Sequence, residues 1–417
     1  MTSRLVRTVA AVLATAALVA APLSAFAAAP LPAAQPGLAA AAVSSSHVLR
    51  GALVSAVPTA QLTASELDAA AAAAGFEGAP AARYGVTAYR LVYRTIDPIG
   101  RPTTASGLVV LPTGKRGALT AAEYLHGTMA TKAYAPSVDP TDNDGLVTAL
   151  FAGAGLAGLA PDYLGLGLGP GGHPYIDTRT ETSASADLLL AANSFAARHG
   201  VVLNRDVLVT GFSQGGRASL GLGRALQRGE VGRFRLGALH AVAGPYDLAG
   251  TELPAAFDGR LAPATATFYL AYFATAWNRT VGLYDAPRDA FQPPYAGTVE
   301  GLFDGSHSYE EIVAGLPDSP GKLFTPQFLA KLKHPSGAYL KALTAADRIC
   351  DWTPKTPVHL YTGTADTDVV PANADVCAAA LTGPGARVTI HSMGAVDHFG
   401  TAFAAFPQIV GSFSRWG

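Results

Sequence analysis

The strongest constraint on the fold of this chain is a G-x-S-x-G turn at residues 211–215 that joins a predicted strand to a predicted helix. The apolar residues 207–212 predict a buried strand, and residues 214–228 predict a helix directly after it. A turn this sharp forces the serine into a strained backbone conformation, while the flanking glycines leave room for close backbone approach. The pattern therefore predicts a sheet whose carboxyl edge presents the Ser213 hydroxyl at the amino end of a helix.

Segments with strand and helix character alternate on both sides of this turn. Extended, mostly apolar segments predict further strands at residues 84–95, 103–111, 119–125, 156–160, 236–243, 358–361 and 388–390. Helical segments are predicted at residues 145–155 and 182–199, between the last two strands, and at the carboxyl terminus. This alternation implies an α/β fold, with a mostly parallel sheet and helices on both faces.

Residues 247–345 interrupt the alternation. Of the 35 aromatic residues, 14 lie between residues 251 and 344. Residues 270–277 are apolar nearly all round, which is costly for a helix on the surface. We expect an inserted, mainly helical cap or lid, which can be a subdomain with its own core, a cover over an aromatic-lined pocket, or both. The core is then divided into residues 81–246 and 346–417.

The amino-terminal residues have the features of a secretory signal. Two arginines precede an apolar run, and residues 25–27 have the small-x-small pattern of a cleavage site. We expect a signal peptide over residues 1–27, cleaved near Ala27, and a secreted protein in an extracellular or periplasmic compartment. A membrane anchor is the alternative, but the run is short and contains a proline. Residues 28–80 are expected to form an Ala/Pro-rich lead-in and an N-terminal helix.

Charge and composition exclude two classes of protein. The 29 Lys and Arg residues nearly balance the 30 Asp and Glu residues, so the formal net charge is −1. A chain with this balance is not a generally basic nucleic-acid binder. With 49% hydrophobic residues, it is also not intrinsically disordered. We expect no nucleic-acid partner, and no obligate protein partner is evident.

The chain has two cysteines, Cys350 and Cys377. An even pair in an exported chain predicts one disulfide bond. Closing this loop would contribute about 3 kcal/mol in the chain-entropy description. Two buried free thiols are the alternative. The loop encloses Asp366, so the disulfide bond is expected to hold the turn of that residue in place.

A serine nucleophile at neutral pH needs a base, which in this type of architecture lies late in the chain. His398 lies in a predicted turn between the last strand and the terminal helix, where a loop can aim the imidazole at Ser213. His391 is a rival at the end of a strand. His359 lies inside a strand, where packing is the simpler role. We predict that His398 is the base.

An acid is expected in the turn after the preceding strand, because the base needs a partner that holds its tautomer. Asp366 occupies that turn, and Asp368, two residues later, is the alternative. We predict that Asp366 orients His398 and stabilises its imidazolium form without becoming protonated itself.

Negative charge that develops on an attacked carbonyl oxygen needs preorganised N–H donors. The backbone N–H of Gln214, the residue after the serine, is one predicted donor. The backbone N–H of Thr128, in the loop after the third predicted strand, is the other. Gly127 permits the tight turn there, and His126 is either a prop for this loop or a pocket residue.

Five motifs occur in order over roughly residues 80–415: YLHGT at 124–128, APDYLGLG at 160–167, GFSQGG at 211–216, GTAD at 363–366 and DH at 397–398. Together they resemble the secreted lipase and esterase branch of the α/β-hydrolase superfamily, the secretory lipase-like proteins. The resemblance implies the α/β-hydrolase fold with a cap inserted after the sixth strand. It also implies a serine carboxylic-ester hydrolase with a Ser–His–Asp triad, acting on esters with an apolar acyl group.

The resemblance implies a small-molecule or lipid ester as substrate, and it is compatible with a transient contact of the cap with a lipid surface. No metal or organic cofactor is needed. The G-x-G-x-x-G pattern at residues 167–172 lacks the following helix that a nucleotide site needs. A serine peptidase of the same fold, of the aminopeptidase or dipeptidyl-peptidase type, is the first alternative. A non-catalytic binding protein is the second.

Two further groups of polar residues leave their roles open. Asp162 and Tyr163 lie in a loop at the carboxyl edge of the predicted sheet, where they either line the pocket or support it. Asp139, Asp142 and Asp144 suggest a calcium loop, but their spacing is not that of a hand-type site. A turn followed by a helix N-cap is the simpler interpretation of these three residues.

Overall fold

The structure is a computed structural model, and it describes residues 49–417. The predicted signal peptide and the first part of the lead-in lie outside the described residues. Within them the chain forms nine strands: β1 (Leu53–Leu62), β2 (Val86–Ile96), β3 (Pro102–Pro112), β4 (Gly117–Leu125), β5 (Ala157–Pro161), β6 (Val201–Phe212), β7 (Arg235–Val242), β8 (Val358–Thr362) and β9 (Val388–Ser392). The helices outside the insertion are α1 (Ala64–Ala74), α2 (Asn143–Gly153), α3 (Thr178–Arg198), α4 (Gln214–Gln227), α13 (Ala372–Ala380) and α14 (His398–Phe413).

The nine strands form one sheet in the order β1-β2-β3-β5-β4-β6-β7-β8-β9. The pairs β1–β2, β2–β3 and β3–β5 are antiparallel. All pairs from β5 through β4 to β9 are parallel. The predicted α/β architecture with a mostly parallel sheet is confirmed.

The first strand of the sheet falls in the segment for which the sequence predicts only a lead-in and a helix. Strand β1 pairs along β2 from Leu53 to Leu62 and contributes few buried side chains, as expected for an edge strand. Helix α1 follows directly and is closed by a capping box, in which Thr63 accepts the Glu66 N–H and the Glu66 carboxylate accepts the Thr63 N–H.

Helices cover the sheet on both faces, as predicted. Helices α3, α4 and α13 pack on one face, whose core includes Leu188, Leu222 and Val209. Helices α1, α2 and α14 pack on the other face, whose core includes Phe151 and Phe406. Because parallel strands end at the same edge, the segments after β4, β6, β7, β8 and β9 all meet at the carboxyl edge of the sheet, where ligands bind in open α/β folds.

The insertion between β7 and β8 is helical. It begins with a π-helical turn (Leu248–Glu252) and contains α5 (Leu253–Asp258), α6 (Pro263–Val281), α7 (Pro287–Ala290), α8 (Val299–Leu302), α9 (Tyr309–Ala314), α10 (Pro320–Leu323), α11 (Pro326–Lys333) and α12 (Gly337–Asp347). Its aromatic residues pack into a core of their own around α6. Residues of α6 also line cavities at the sheet edge. Within residues 49–417, no helix combines the length and the apolar character needed to cross a bilayer.

Cys350 and Cys377 form the predicted disulfide bond, with a Cα–Cα distance of 5.3 Å. Both residues are buried, and the bond links the end of the insertion to α13. Residues 351–376, which include the turn after β8, are therefore enclosed in a covalent loop.

We predict that replacing both cysteines by serine lowers the free energy of unfolding by about 3 kcal/mol, because the unfolded chain gains the entropy of an open 27-residue loop. Urea unfolding of the double variant and the oxidised parent measures this difference. Amide hydrogen exchange at residues 363–370 is expected to accelerate in the variant. Unchanged exchange there would show that the bond does not hold this turn.

Candidate active site

Ser213 lies between the end of β6 and the start of α4, with φ 55° and ψ −119°. This backbone conformation is rare for residues other than glycine and is stabilised here by its surroundings. The Ser213 N–H donates to the Val242 carbonyl at 2.9 Å. A Cβ at Gly215 would lie 1.8 Å from the Leu125 oxygen, so a larger residue cannot occupy this position without moving the backbone. The turn therefore has the strained geometry that its sequence predicts.

His398 and Asp366 form a buried pair. The distance from His398 Nδ1 to Asp366 Oδ2 is 2.7 Å, and the residues are 2% and 6% exposed. The second carboxylate oxygen of Asp366 accepts the N–H groups of Asp368 and Val369, each at 2.9 Å. His398 is the first residue of α14, capped by Asp397, rather than part of a turn before that helix. The structure thus brings the predicted acid and base together.

The second ring nitrogen of His398, Nε2, is buried and makes no hydrogen bond within residues 49–417. The imidazole packs against the Phe212 ring, with centroids 4.6 Å apart. His398 and Ser213 line the same cavity. Since Nδ1 donates to Asp366, Nε2 is the nitrogen left free to accept a proton on the side of the serine.

The rival residues have other partners. His391 Nε2 lies 2.9 Å from Nδ1 of His359, so these two histidines pair with each other on neighbouring strands. Asp368 accepts a hydrogen bond from the Tyr269 hydroxyl at 3.4 Å and lines a cavity instead of holding an imidazole.

The two predicted N–H donors lie at the same edge of the sheet. The N–H groups of Thr128 and Gln214 donate to no residue within 49–417. Gln214 begins α4, where the helix dipole adds to the attraction for negative charge. Thr128 and Ser213 line common cavities, and the Thr128 hydroxyl is 2.9 Å from that of Tyr175. These two N–H groups therefore remain the candidates for binding a developing oxyanion.

A buried polar network lies behind the serine turn. The Gln214 side-chain amide donates to Glu181 Oε1 at 2.7 Å and to His173 Nε2 at 2.9 Å. His173 Nδ1 in turn donates to the Leu164 carbonyl at 2.8 Å, which assigns its tautomer. Burial lowers the pKa of His173 to about 3, so the ring is neutral at pH 7. The loop after β5, through His173, and helix α3, through Glu181, thereby hold the side chain of Gln214.

Arg217, one turn into α4, is fully buried beside this network. It donates to the carbonyls of Pro245, Tyr246 and Ala346. Burial raises the pKa of Glu181 to about 7, although the hydrogen bond from Gln214 and the Arg217 charge both act to lower it. Sequence reasoning missed His173, Glu181 and Arg217. The signal for Glu181 and Arg217 is that each is a charged residue on a helix whose neighbouring residues are small or apolar.

The pocket candidates His126, Asp162 and Tyr163 do not line the cavities at Ser213. All three are fully buried. Asp162 accepts the Ser137 N–H at 3.0 Å and the hydroxyls of Ser106 and Ser137. Asp162 therefore links the loop after β5 to strand β3, through Ser106, and to the loop after β4, through Ser137.

Three cavities meet at the carboxyl edge of the sheet. The inner cavity is mainly apolar and includes Ser213, Thr128, Leu248, Leu253, Leu270 and Phe273. The middle cavity includes Ser213, Thr128, Phe212, Asp142, Asp144 and His398. The outer cavity includes Thr128, Asp139, Asp142, Tyr269, Tyr309 and Asp368. Ser213 is thus open on one side to an apolar space and on the other to a space that contains His398 and the carboxyl groups of Asp142 and Asp144.

The cavities hold more acidic residues than the sequence of the insertion suggests. Glu252 lines the inner cavity and accepts hydrogen bonds from the Val370 N–H at 3.0 Å and from the Asn373 amide. Burial raises the pKa of Glu252 to about 8. Glu252 therefore ties the start of the insertion to the loop that follows Asp366.

The acidic residues 139–144 are engaged in local hydrogen bonds. Asp142 caps α2 by accepting the Gly145 N–H at 2.8 Å, as the N-cap interpretation predicts. Asp139 accepts the Thr141 N–H and hydroxyl in a local turn. Within residues 49–417, no group of three or more His, Cys, Asp or Glu side chains is arranged to hold a metal ion.

Comparison with known proteins places this arrangement among solved structures. A Legionella pneumophila protein described as a "putative hydrolase" has a TM-score of 0.78 and 26% identity, with 87% of this chain and 98% of that chain covered. The rice cell wall degrading esterase LipA from Xanthomonas oryzae has a TM-score of 0.75 and 26% identity, with 88% and 97% covered. Lipase A from Candida antarctica has a TM-score of 0.59 at 14% identity, with 84% and 78% covered, and shows the fold alone.

No family model matches the chain, and no curated protein matches it by sequence. The structural likenesses nevertheless show the α/β-hydrolase fold in its lipase and esterase form. They support carboxylic-ester hydrolase as the enzyme class.

We predict that Ser213→Gly stabilises the protein by about 1 kcal/mol relative to Ser213→Ala. Glycine adopts the observed conformation freely, whereas alanine keeps the backbone strain and, like glycine, lacks the hydroxyl. Thermal unfolding of the two variants measures the difference. Equal stability would mean that the turn stores no strain.

We predict that Glu181→Gln gains stability relative to the parent as pH rises from 4.5 to 8. Because the folded pKa of Glu181 lies above its unfolded value, ionisation costs folding free energy over this interval, reaching about 3 kcal/mol above pH 7. Urea unfolding at pH 5 and pH 8 tests this, with exposed Glu230→Gln as the charge control. A constant stability difference between parent and Glu181→Gln at both pH values would contradict it.

Proposed function

We propose that this chain is an exported serine carboxylic-ester hydrolase that acts through an acyl-enzyme. The observation that carries the proposal is the buried His398–Asp366 pair in a cavity with a strained Ser213 at a strand–helix turn. The likeness to the LipA esterase supports the same chemistry. The disulfide bond supports export, because such bonds persist in oxidising compartments.

In the proposed first step, His398 Nε2 accepts the proton of the Ser213 hydroxyl, and the serine oxygen attacks the ester carbonyl. The N–H groups of Gln214 and Thr128 hold the oxyanion. Asp366 keeps Nδ1 of His398 protonated and stabilises the imidazolium. His398 then donates its proton to the departing alcohol, and Ser213 keeps the acyl group.

In the second step, His398 accepts a proton from water, which attacks the acyl-enzyme and releases the acid. The apolar inner cavity supports an apolar acyl group. Exposed aromatic residues at the cavity mouth, Tyr134, Tyr309 and Phe399, are compatible with transient contact with a lipid surface.

A second candidate is a serine peptidase of the same fold, which Glu252 favours. Its carboxyl group lines the cavity that contains Ser213, where it could bind a peptide amino terminus. Two hydrogen bonds already engage this carboxyl group, which favours a structural role instead. Hydrolysis of aminoacyl anilides in preference to esters would support the peptidase.

We predict that the protein hydrolyses p-nitrophenyl esters and that Ser213→Ala reduces kcat by about 10⁴-fold or more, since the nucleophile is lost. A series from acetate to palmitate gives the acyl preference. A maximum at short chains indicates an esterase, and one at long chains a lipase. Ser194→Ala, an exposed serine on α3, is the matched control.

A serine-directed phosphonate gives a second test that does not depend on the ester chosen. It is expected to label the parent and Ser194→Ala but not Ser213→Ala. Activity retained by Ser213→Ala, or absence of labelling in the parent, would exclude the proposed mechanism and favour a binding protein.

A further inference from the structure

The two sides of Ser213 differ in a way that separates the two parts of an ester. This step rests on the proposed function. Because His398 must protonate the departing alcohol, the alcohol lies on the side of the middle cavity, which His398 lines. His398 does not line the inner cavity, whose wall is mainly apolar although Glu252 and Asp368 contribute to it, and which suits the acyl group. The middle cavity is about 280 Å³ in volume and continues toward the outer cavity of about 390 Å³.

The outer cavity has an unusual lining. Aromatic and acidic side chains predominate, and none of its lining residues within 49–417 is a lysine, arginine or histidine. The aromatic residues are Tyr134, Phe268, Tyr269, Tyr309 and Phe399, and the acidic residues are Asp139, Asp142 and Asp368. Aromatic faces and carboxylates are the groups that bind quaternary ammonium ions in water.

The middle and outer cavities share lining residues, so a ligand can extend from one to the other. Thr128, Asp142, Tyr269 and Phe399 line both. Tyr269 also donates to Asp368, which places an aromatic ring beside a carboxylate in the outer cavity, and both residues line the inner cavity as well. Phe399 and Tyr309 are 59% and 54% exposed, so their rings are accessible to a ligand.

Ionising the buried acidic residues of this region costs free energy when no positive charge lies beside them. Burial and the neighbouring Asp144 raise the pKa of Asp142 to about 8. Burial also raises the pKa of Asp368, although the nearby His398 charge acts to lower it. A bound cation would relieve this cost, whereas an anionic group would increase it.

We propose that the alcohol part of the preferred ester carries an alkylated ammonium group, held by the aromatic and acidic lining of the outer cavity. The group of aromatic rings in the same cavity carries the proposal independently of the acidic residues. His398, which lines the adjoining middle cavity, sets the side of Ser213 on which the alcohol oxygen lies.

The test compares two esters of one acid that differ only in charge. Hexanoylcholine has a quaternary ammonium group, and 3,3-dimethylbutyl hexanoate has carbon in place of that nitrogen. We expect kcat/KM for the choline ester to be about tenfold higher at low ionic strength. The ratio is expected to fall at 1 M NaCl, because salt screens the charge but not the shape.

Variants locate the effect in the outer cavity. Asp139→Asn is expected to lower the choline-to-isostere ratio about threefold, whereas Asp318→Asn, an exposed acid elsewhere on the insertion, changes net charge equally and leaves the ratio unchanged. Tyr309→Ala is expected to lower the ratio, and Tyr309→Phe to retain it, because the π-face remains.

The outcomes separate this inference from the proposed function. If p-nitrophenyl esters are hydrolysed but the choline ester has no advantage over its neutral isostere, the inference fails and the proposed function stands. Hydrolysis of neither member of the pair, with p-nitrophenyl activity intact, also overturns the inference. If no ester is hydrolysed and the phosphonate does not label Ser213, the proposed function fails and the inference fails with it.

Discussion

The close packing of three backbone segments around the Ser213 turn is the constraint on which the rest of the site depends. A Cβ at Gly215 would lie 1.8 Å from the Leu125 oxygen, and one at Gly216 would lie 2.5 Å from the Val242 oxygen. Without side chains at these positions, the ends of β4 and β7 approach the turn directly. The loop after β4, which contains Thr128, therefore lies beside the turn and lines the same cavities as Ser213. Strain in the serine backbone is tolerated because ladders on both sides of β6 hold it.

Buried polar groups stabilise this arrangement from behind. At the start of α4, the Gln214 amide donates hydrogen bonds to Glu181 and His173. Arg217, one turn further along, donates to the loop after β7. Removing such groups from water costs free energy. The network therefore holds the Ser213 turn in place more than it raises the free energy of unfolding. Glu252 has a comparable role on the other side, where it ties the insertion to the loop after Asp366. The shape of the cavities thus depends on ionisable groups that chemistry at the serine does not use.

Each strand predicted from the sequence is present in the structure within a few residues of its predicted bounds. The prediction succeeds because a fully buried parallel strand is a short apolar run between two helices. The long start of β6, from Val201, was missed because its exposed and charged positions do not resemble a buried strand. Strand β1 was missed for a related reason. Its side chains are largely exposed, so alanine, valine and proline there give no alternation that distinguishes an edge strand from a loose segment.

The predicted Ser213, His398 and Asp366 come together because each follows a parallel strand, and parallel strands end at one edge. The outer cavity could not be predicted in this way. Its residues come from the loop after β4, the insertion, the loop after β8 and the start of α14, and no local pattern records their meeting. The chain is nearly neutral overall, so its net charge conceals the local excess of carboxylates. Only the assembled fold shows that the carboxyl groups near the candidate nucleophile are gathered among aromatic rings.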